Sequence, residues 1–188
     1  MSGGLLVVVS GPSGVGKTTV VERLLERSDF ERAVTATTRE PRGAEVDGVD
    51  YEFLTRDEFE ARVDDGGFLE HATVHGNRYG TPKATVERIL GRGGVCILNV
   101  DVQGAASIRG TVSPAMDVFL ASPSAETLEA RLRGRGTDDV KTVEERLATA
   151  RDELARQDEY DVTVVNDDLD RAVDELAAVI EERRRSLK

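Results

Sequence analysis

Leu5-Leu6-Val7-Val8-Val9-Ser10-Gly11-Pro12-Ser13-Gly14-Val15-Gly16-Lys17-Thr18 is an apolar run that ends in a glycine-rich turn and then a helix-like segment. The order predicts a strand, a phosphate loop and a helix. Gly11, Gly16, Lys17 and Thr18 meet the spacing G-x-x-x-x-G-K-[ST], and each residue type has a physical job there. Gly11, Gly14 and Gly16 admit backbone conformations closed to residues with a Cβ, so successive N–H groups can converge on one anion. The helix that begins near Lys17 adds its positive dipole end. Lys17 is then placed to bridge the β- and γ-phosphates of a nucleotide, and the Thr18 hydroxyl to ligate Mg²⁺. A plain Gly-rich turn is the alternative, and the strand-turn-helix setting favours the phosphate loop.

The 188 residues are enough for a full core, and they predict one α/β domain with small insertions. Cys96, the single cysteine, lies in the apolar run Val95-Cys96-Ile97-Leu98, where a buried, unreactive thiol is expected and a disulfide or cysteine-metal site is not. No apolar run exceeds five residues, and no basic segment with a long apolar core precedes the first strand, so a soluble, cytoplasmic protein is expected. The net charge of −11 argues against general affinity for nucleic acid or an anionic membrane. Positive charge must be concentrated locally if phosphates are bound. Only Lys17, Lys83, Lys141 and Lys188 of the 25 basic residues are lysine, a bias that fits a high-salt cytosol or a GC-rich genome. A monomer and a small homo-oligomer both remain open.

Beyond the loop, Val20, Val21, Leu24 and Leu25 keep helical spacing and predict a helix to about Arg27. Ala33 to Thr38 is β-prone and leads into Arg39-Glu40-Pro41-Arg42, where two guanidiniums can clamp a phosphate monoester or can simply be solvated. Val49 to Phe53 predicts a strand with Tyr51 and Phe53 on one face, and Thr55 to Val63 a short helix capped by Thr55. Phe68 to His75 returns to extended structure, and a turn at Gly76-Asn77 leads into Arg78-Tyr79-Gly80-Thr81. Residues 34–81 therefore read as an insertion of short strands and turns, a candidate acceptor-binding lobe. His71 and His75 have no Cys or His partner at metal-ligand spacing, so ordinary structural or surface roles are expected.

Pro82 can open the next helix, which buries Val86, Ile89 and Leu90, and Val95 to Val100 is an apolar strand that delivers Asp101 at its carboxyl end. Open α/β sheets put their sites there, so Asp101 is a candidate for a metal's water shell or a nucleoside group; a helix cap is the plainer reading. Val118 to Ala121 is a further strand, Ser124 caps the helix holding Leu128 and Leu132, and Arg131 to Asp139 sets three arginines beside two glycines. That cluster reads as a mobile triphosphate clamp or as a solvated helix end. Val140 to Leu154 predicts a long helix with Arg146 off its apolar stripe, and Val162 to Val165 the last strand. Asn166-Asp167-Asp168 caps a terminal helix buried through Leu169, Val173, Leu176 and Ile180.

Together these segments resemble the guanylate kinase family from about Leu5 to Ile180. The signals are Ser10 to Lys17, Thr37-Thr38-Arg39-Glu40-Pro41-Arg42, Asp50-Tyr51-Glu52-Phe53, Tyr79-Gly80-Thr81, Asp101-Val102-Gln103-Gly104, Arg135-Gly136-Thr137 and Val165-Asn166-Asp167-Asp168. The resemblance implies an α/β fold, a phosphate-loop parallel sheet flanked by helices, as core 1–33, 82–125 and 149–188. A mixed GMP-binding lobe would span 34–81 and a lid 126–148. It implies that ATP is held by Gly11, Pro12, Ser13, Gly14, Val15, Gly16, Lys17, Thr18, Arg131, Arg135 and Asn166. GMP would meet Arg39, Arg42, Tyr51 and Tyr79 at its phosphate, and Thr35, Glu70, Thr81 and Asp101 around its guanosine. Lys17, Arg39, Arg135 and Arg146 would serve catalysis, with Mg²⁺ held directly by Thr18 and through water by Asp101. Thr35 stands where a serine is usual, and Asn99 where a carboxylate is common.

The implied reaction is ATP + GMP ⇌ ADP + GDP, with dGMP as a second acceptor. A binding module of the same fold, as found in membrane-associated scaffolds, would not need Lys17, Thr18 and the lid arginines. A kinase of the same architecture acting on a phosphorylated sugar such as ribose 1,5-bisphosphate would not need Glu70 with Tyr51 and Tyr79.

Overall fold

The computed structural model describes residues 3–74, 76–133 and 140–188. Five strands form a wholly parallel sheet: β1 (Leu5–Ser10), β2 (Glu31–Arg32), β7 (Val95–Asn99), β8 (Ala115–Ala121) and β9 (Val162–Val165), in the order β2-β7-β1-β8-β9. A parallel sheet is covered on both faces, so its central strands read as unbroken apolar runs, and every residue of β1 is buried. Alternation then assigns the two faces. Leu5, Val7 and Val9 pack with Val20, Val21 and Leu24 of α1 (Lys17–Glu26) and with Val173, Leu176 and Ile180 of α7 (Leu169–Ser186). Leu6 and Val8 face Val86 and Ile89 of α3 (Lys83–Gly91) and Ala105 and Ile108 of α4 (Val102–Ile108). Each fully buried Leu or Val contributes about 1.5–3 kcal/mol relative to exposure, so the sheet is a rigid base for the loops at its carboxyl edge.

A second sheet of mixed direction, in the order β4-β3-β6-β5, is built from β3 (Ala36–Thr37), β4 (Glu52–Phe53), β5 (Phe68–Val74) and β6 (Asn77–Pro82). Helix α2 (Arg56–Asp64) covers it, with Phe59 stacked on Phe68 at 4.4 Å between ring centroids. The Thr55 side chain accepts from the Glu58 N–H while the Glu58 carboxylate accepts from the Thr55 N–H, a capping box that starts α2 where the sequence places it. Two further helices, α5 (Ala125–Arg133) and α6 (Val140–Leu154), lie between β8 and β9 in the chain.

The structure departs from expectation at Val49 to Phe53 and at Pro82. The strand expected over Val49 to Phe53 shrinks to β4, because Asp50 accepts from the Val46 N–H at 2.7 Å and Asp47 from the Phe53 N–H at 2.8 Å. Such local side-chain bonds satisfy the backbone in turns and compete with a ladder. Pro82 ends β6 and caps α3 instead of opening it. Asp101 is the cap of α4, accepting from the Gly104 N–H at 2.7 Å, so the plainer reading of that residue holds whatever else it does.

Candidate active site

The loop from Gly11 to Gly16 joins the buried end of β1 to α1. Gly11 has φ +144°, and a Cβ there would sit 2.2 Å from the Leu120 carbonyl oxygen, so only glycine lets the loop pass this close to β8. Gly16 caps α1 in the left-handed region, at φ +95°, with no side-chain cap and no acidic residue in the first turn. The helix thus presents N–H groups and a positive dipole end to a 230 Å³ cavity lined by Ser13, Gly14, Gly16, Lys17, Thr18 and Thr19. Lys17 folds back over the loop, its Nζ donating to the carbonyls of Gly11 at 2.5 Å and Pro12 at 3.1 Å. The Thr18 hydroxyl accepts from Asn99 Nδ2 at 3.4 Å, so the position where a carboxylate is common carries an amide turned toward the loop.

A second cavity, of 190 Å³, opens between the two sheets. Thr35, Tyr51, Glu70, Tyr79 and Asp101, five of the expected acceptor residues, line it beside Asn99 and Gly104. Glu70 comes from β5 and Tyr79 from β6, while Asp101 follows β7, so the cavity exists only because the inserted sheet leans over the carboxyl edge of the core. The buried Thr81 hydroxyl donates to Glu70 Oε1 at 2.7 Å. Burial raises the Glu70 pKa above the ordinary carboxylate value and the Asp101 charge adds to it, against the Thr81 bond. Glu70 is an acceptor pair whose ionisation the surroundings penalise, and a ligand bringing two donors would relieve that.

Of the arginine clamp expected from Arg39 and Arg42, the Arg39 guanidinium is closed on the protein's own carboxylate, whereas Arg42 is exposed and meets that carboxylate through its backbone. Arg39 Nη2 donates to both carboxylate oxygens of Glu45, at 2.9 and 3.0 Å, and Glu45 also accepts from the Arg42 N–H at 2.7 Å. The Arg39 guanidinium lies 5.4 Å from the Tyr51 ring centroid, and Tyr51 meets Tyr79 edge-on at 6.1 Å. Glu45 holds the Arg39 pKa above its usual value, and Arg39 holds that of Glu45 below the usual carboxylate range.

Arg131 and Asn166, expected at the donor nucleotide, are both turned to the loop backbone. Arg131 donates from Nη1 to the Val15 carbonyl at 3.2 Å and from Nη2 to the Asn166 carbonyl at 2.9 Å. Asn166 Nδ2 donates to the Val15 carbonyl at 2.8 Å. Arg146 is half-buried on α6, while Arg135 and His75 lie outside the described residues.

Sequence reasoning missed Glu45 and Glu153. Glu153, on α6, accepts from the Ser13 N–H of the loop at 3.3 Å, and burial raises its pKa while Lys17 opposes the rise. Its signal was a carboxylate next to the apolar residue Leu154; that of Glu45 was an acid following two arginines within one turn. Among the described residues no group of three or more His, Cys, Asp or Glu could hold a metal ion, and no helix is long and apolar enough to cross a membrane. Cys96 is buried, and burial pushes its thiol pKa up to about 12.

A glycine loop on a parallel sheet, with a second cavity set beside it by an inserted sheet, defines a phosphate-loop nucleotide-binding protein. The guanylate kinase family model matches residues 4–183. A guanylate kinase of Parasynechococcus marenigrum (strain WH8102) is 50% identical over 171 residues, which cover 90% of this chain and 94% of that protein. One from Rhodococcus jostii (strain RHA1) is 47% identical over 180 residues, 94% of this chain and 87% of its own length. The crystal structure of guanylate kinase from Anaplasma phagocytophilum superposes with a TM-score of 0.78 at 31% identity, covering 98% of this chain and 88% of that one. The chain belongs to the guanylate kinase family.

Proposed function

We propose that this enzyme phosphorylates GMP to GDP at the expense of ATP, with the triphosphate on the loop from Gly11 to Thr18 and the acceptor in the cavity beside Glu70. The observation that carries the reading is the pairing of two unlike cavities at one sheet edge. One is an amide cradle with Lys17 over it, and the other is floored by a carboxylate and flanked by two tyrosines and Arg39.

A phosphate monoester has a second pKa of about 6, so the acceptor oxygen is largely ionised at neutral pH and no general base is needed. The difficulty is to bring two polyanions into line. Lys17 leaves the Gly11 and Pro12 carbonyls to meet the transferring group, Arg39 exchanges Glu45 for the acceptor phosphate, and Arg135 and Arg146 offset the remaining charge. Closing of the lobe 34–81 and the lid 126–148 onto the core 1–33, 82–125 and 149–188 would exclude water, which otherwise accepts the phosphoryl group.

The Thr18 hydroxyl and the Asp101 carboxylate are hard oxygen donors at the two cavities, and so few protein ligands suit Mg²⁺, which keeps most of its water shell. Bound with the triphosphate, Mg²⁺ would supply charge neutralisation. Glu70 is assigned to the base and Arg39 to the phosphate, neither of which needs the ribose 2′-hydroxyl, so dGMP is expected to be accepted as well. A lone buried thiol and the absence of a membrane-crossing helix among the described residues support a cytoplasmic enzyme.

The test is an acceptor panel with ATP and Mg²⁺: GMP, dGMP, AMP, UMP and ribose 1,5-bisphosphate. Turnover with GMP and dGMP far above the rest is expected. Preference for the bisphosphate would overturn the acceptor assignment, and no ATP turnover with any acceptor would indicate a binding module.

A further inference from the structure

We propose that Arg131 and Asn166 are positioning residues for the phosphate loop: together they grip the Val15 carbonyl and so aim the Gly16 N–H into the donor cavity. In this reading neither need touch the nucleotide. The proposal rests on the reading of the loop as the donor site and departs from the expectation that these side chains contact ATP.

A trans peptide holds its C=O and the following N–H on opposite sides, so fixing the Val15 carbonyl fixes the direction of the Gly16 N–H. The Val15 carbonyl accepts from Asn166 Nδ2 at 2.8 Å and from Arg131 Nη1 at 3.2 Å, on the side of the loop that faces α5 and the end of β9. The donor cavity includes Gly16 but not Val15, Arg131 or Asn166, so the Gly16 N–H is turned away from the two donors and toward the cavity.

This peptide needs a holder. It is followed by Gly16 at φ +95°, and glycine populates both signs of φ about equally, so the peptide could turn over at little steric cost. With the carbonyl turned inward, the loop would present a negative dipole to a phosphate. Two donors from two other elements oppose that rotation. Asn166 is 7% exposed, and its own N–H donates to the Ala121 carbonyl at 2.8 Å, which ties it to the end of β8. The second arm of Arg131 donates to the Asn166 carbonyl at 2.9 Å, so one guanidinium fastens α5, the loop and the segment after β9. Asn166 also packs close against Gly16: a Cβ there would lie 2.7 Å from Asn166 Nδ2.

The experiment measures tripolyphosphate, which has neither base nor ribose, alongside ATP by calorimetry on the full chain, for wild type, Asn166→Ala, Arg131→Lys and the double variant. Loss of one well-aimed charge-assisted N–H bond is expected to weaken both ligands about 10- to 100-fold, by the same factor. Asn166→Ala and Arg131→Lys act on one carbonyl, so their combined loss should fall short of the product of the single losses. In the ligand-free protein, the Gly16 amide ¹H–¹⁵N resonance should move in each variant.

Weakening of ATP alone would place Asn166 on the adenine and overturn the proposal. Weakening of both ligands by Arg131→Lys with an unmoved Gly16 resonance would make Arg131 a direct phosphate contact and also overturn it. Unchanged affinities with a lowered melting temperature would leave a purely structural role. If wild type binds neither ATP nor tripolyphosphate, the donor-site reading itself fails, an outcome separate from all of these. Should Asn166→Ala not fold, Arg131→Lys, which keeps the charge and loses the fork, gives the same three readouts alone.

Discussion

Glu70→Gln is the substitution that most directly tests how the base is chosen. Guanine presents adjacent N1–H and N2–H₂ donors, and an ionised carboxylate accepts both in parallel. The glutamine keeps the size of Glu70 and an acceptor for the Thr81 hydroxyl, which donates to Oε1 at 2.7 Å, so the local fold should survive. It loses the charge and turns one acceptor into a donor that faces guanine's own donors. Two hydrogen bonds to an ionised group are worth about 3–6 kcal/mol together, against about 1 kcal/mol for the single neutral bond that remains. The loss of about 2–5 kcal/mol corresponds to roughly a 30- to 5,000-fold fall in kcat/KM for GMP. Adenine has an acceptor at N1, which the new amide can satisfy, so AMP should be used no worse and the GMP over AMP ratio should fall by at least that factor. The assay is ADP formation at saturating ATP with GMP or AMP varied, beside a thermal melt to establish folding. A ratio within about threefold of wild type would remove Glu70 from guanine recognition and leave it to Thr35, Thr81 and Asp101.

Lys17→Met should reduce kcat about 10²- to 10³-fold while ATP still binds, because a charge aimed at the transferring phosphoryl is lost but the loop amides remain; near-normal turnover in a steady-state assay would refute that role. Arg39→Ala should raise the KM for GMP about 10- to 100-fold and leave the KM for ATP unchanged; the reverse pattern would assign the arginine to the other substrate. Guanosine affinity should fall as pH falls, because the carboxylate must be ionised to accept. Since burial raises the Glu70 pKa, the fall should begin above the ordinary carboxylate range, and calorimetry with guanosine avoids titration of the GMP phosphate. The same titration on Glu70→Gln should be flat across that range. Hydrogen exchange of peptides spanning residues 35–74 should slow when both substrates are bound, and equal protection with and without them would count against lobe closure.

The parts of the fold legible in the sequence are those where one local rule dominates. Leu5 to Val9 and Val95 to Leu98 are continuous apolar runs because both faces of the sheet are covered, and Thr55 with Glu58 satisfies a capping box within four residues. The loop was legible for a similar reason, since its glycines and Lys17 act through the backbone at fixed spacing. Legibility failed where partners are far apart or where the backbone is bonded by side chains. Asp47 and Asp50 dissolve most of an expected strand through turn bonds that β propensity does not register. Arg131 lies 116 residues from Val15, and Glu153 lies 140 from Ser13, so nothing in the local pattern of either one announces a loop contact. Five residues expected at the acceptor line one cavity, but their convergence needs β5, β6 and β7 brought to one edge, which residue spacing does not encode.

Both missed carboxylates bear on how tightly phosphate can bind. Glu45 occupies Arg39 Nη2 with two oxygens and takes the Arg42 N–H as well, so it presents anionic oxygens to the donors that the proposed reading gives to a phosphate. On the proposed reading, binding of the acceptor phosphate would be an exchange of one charge-assisted pair for another, with a smaller net gain than for an arginine held in water alone. The exchange has a compensating effect: without Glu45, the Nη1 bond to the Glu40 carbonyl would be left to hold the guanidinium, which could swing into solvent and have to be reordered on binding. Arg39 is instead already fixed against Tyr51, with its side chain 10% exposed, and only its partner must change. Glu153 is in the opposite position. Burial already penalises its ionised form, its single loop bond is long at 3.3 Å, and a triphosphate on the same amide cradle would add like charge. Of the two carboxylates, Glu45 is held in place by its partners, and Glu153 is the one that a phosphate on the proposed donor site would displace at the lower cost.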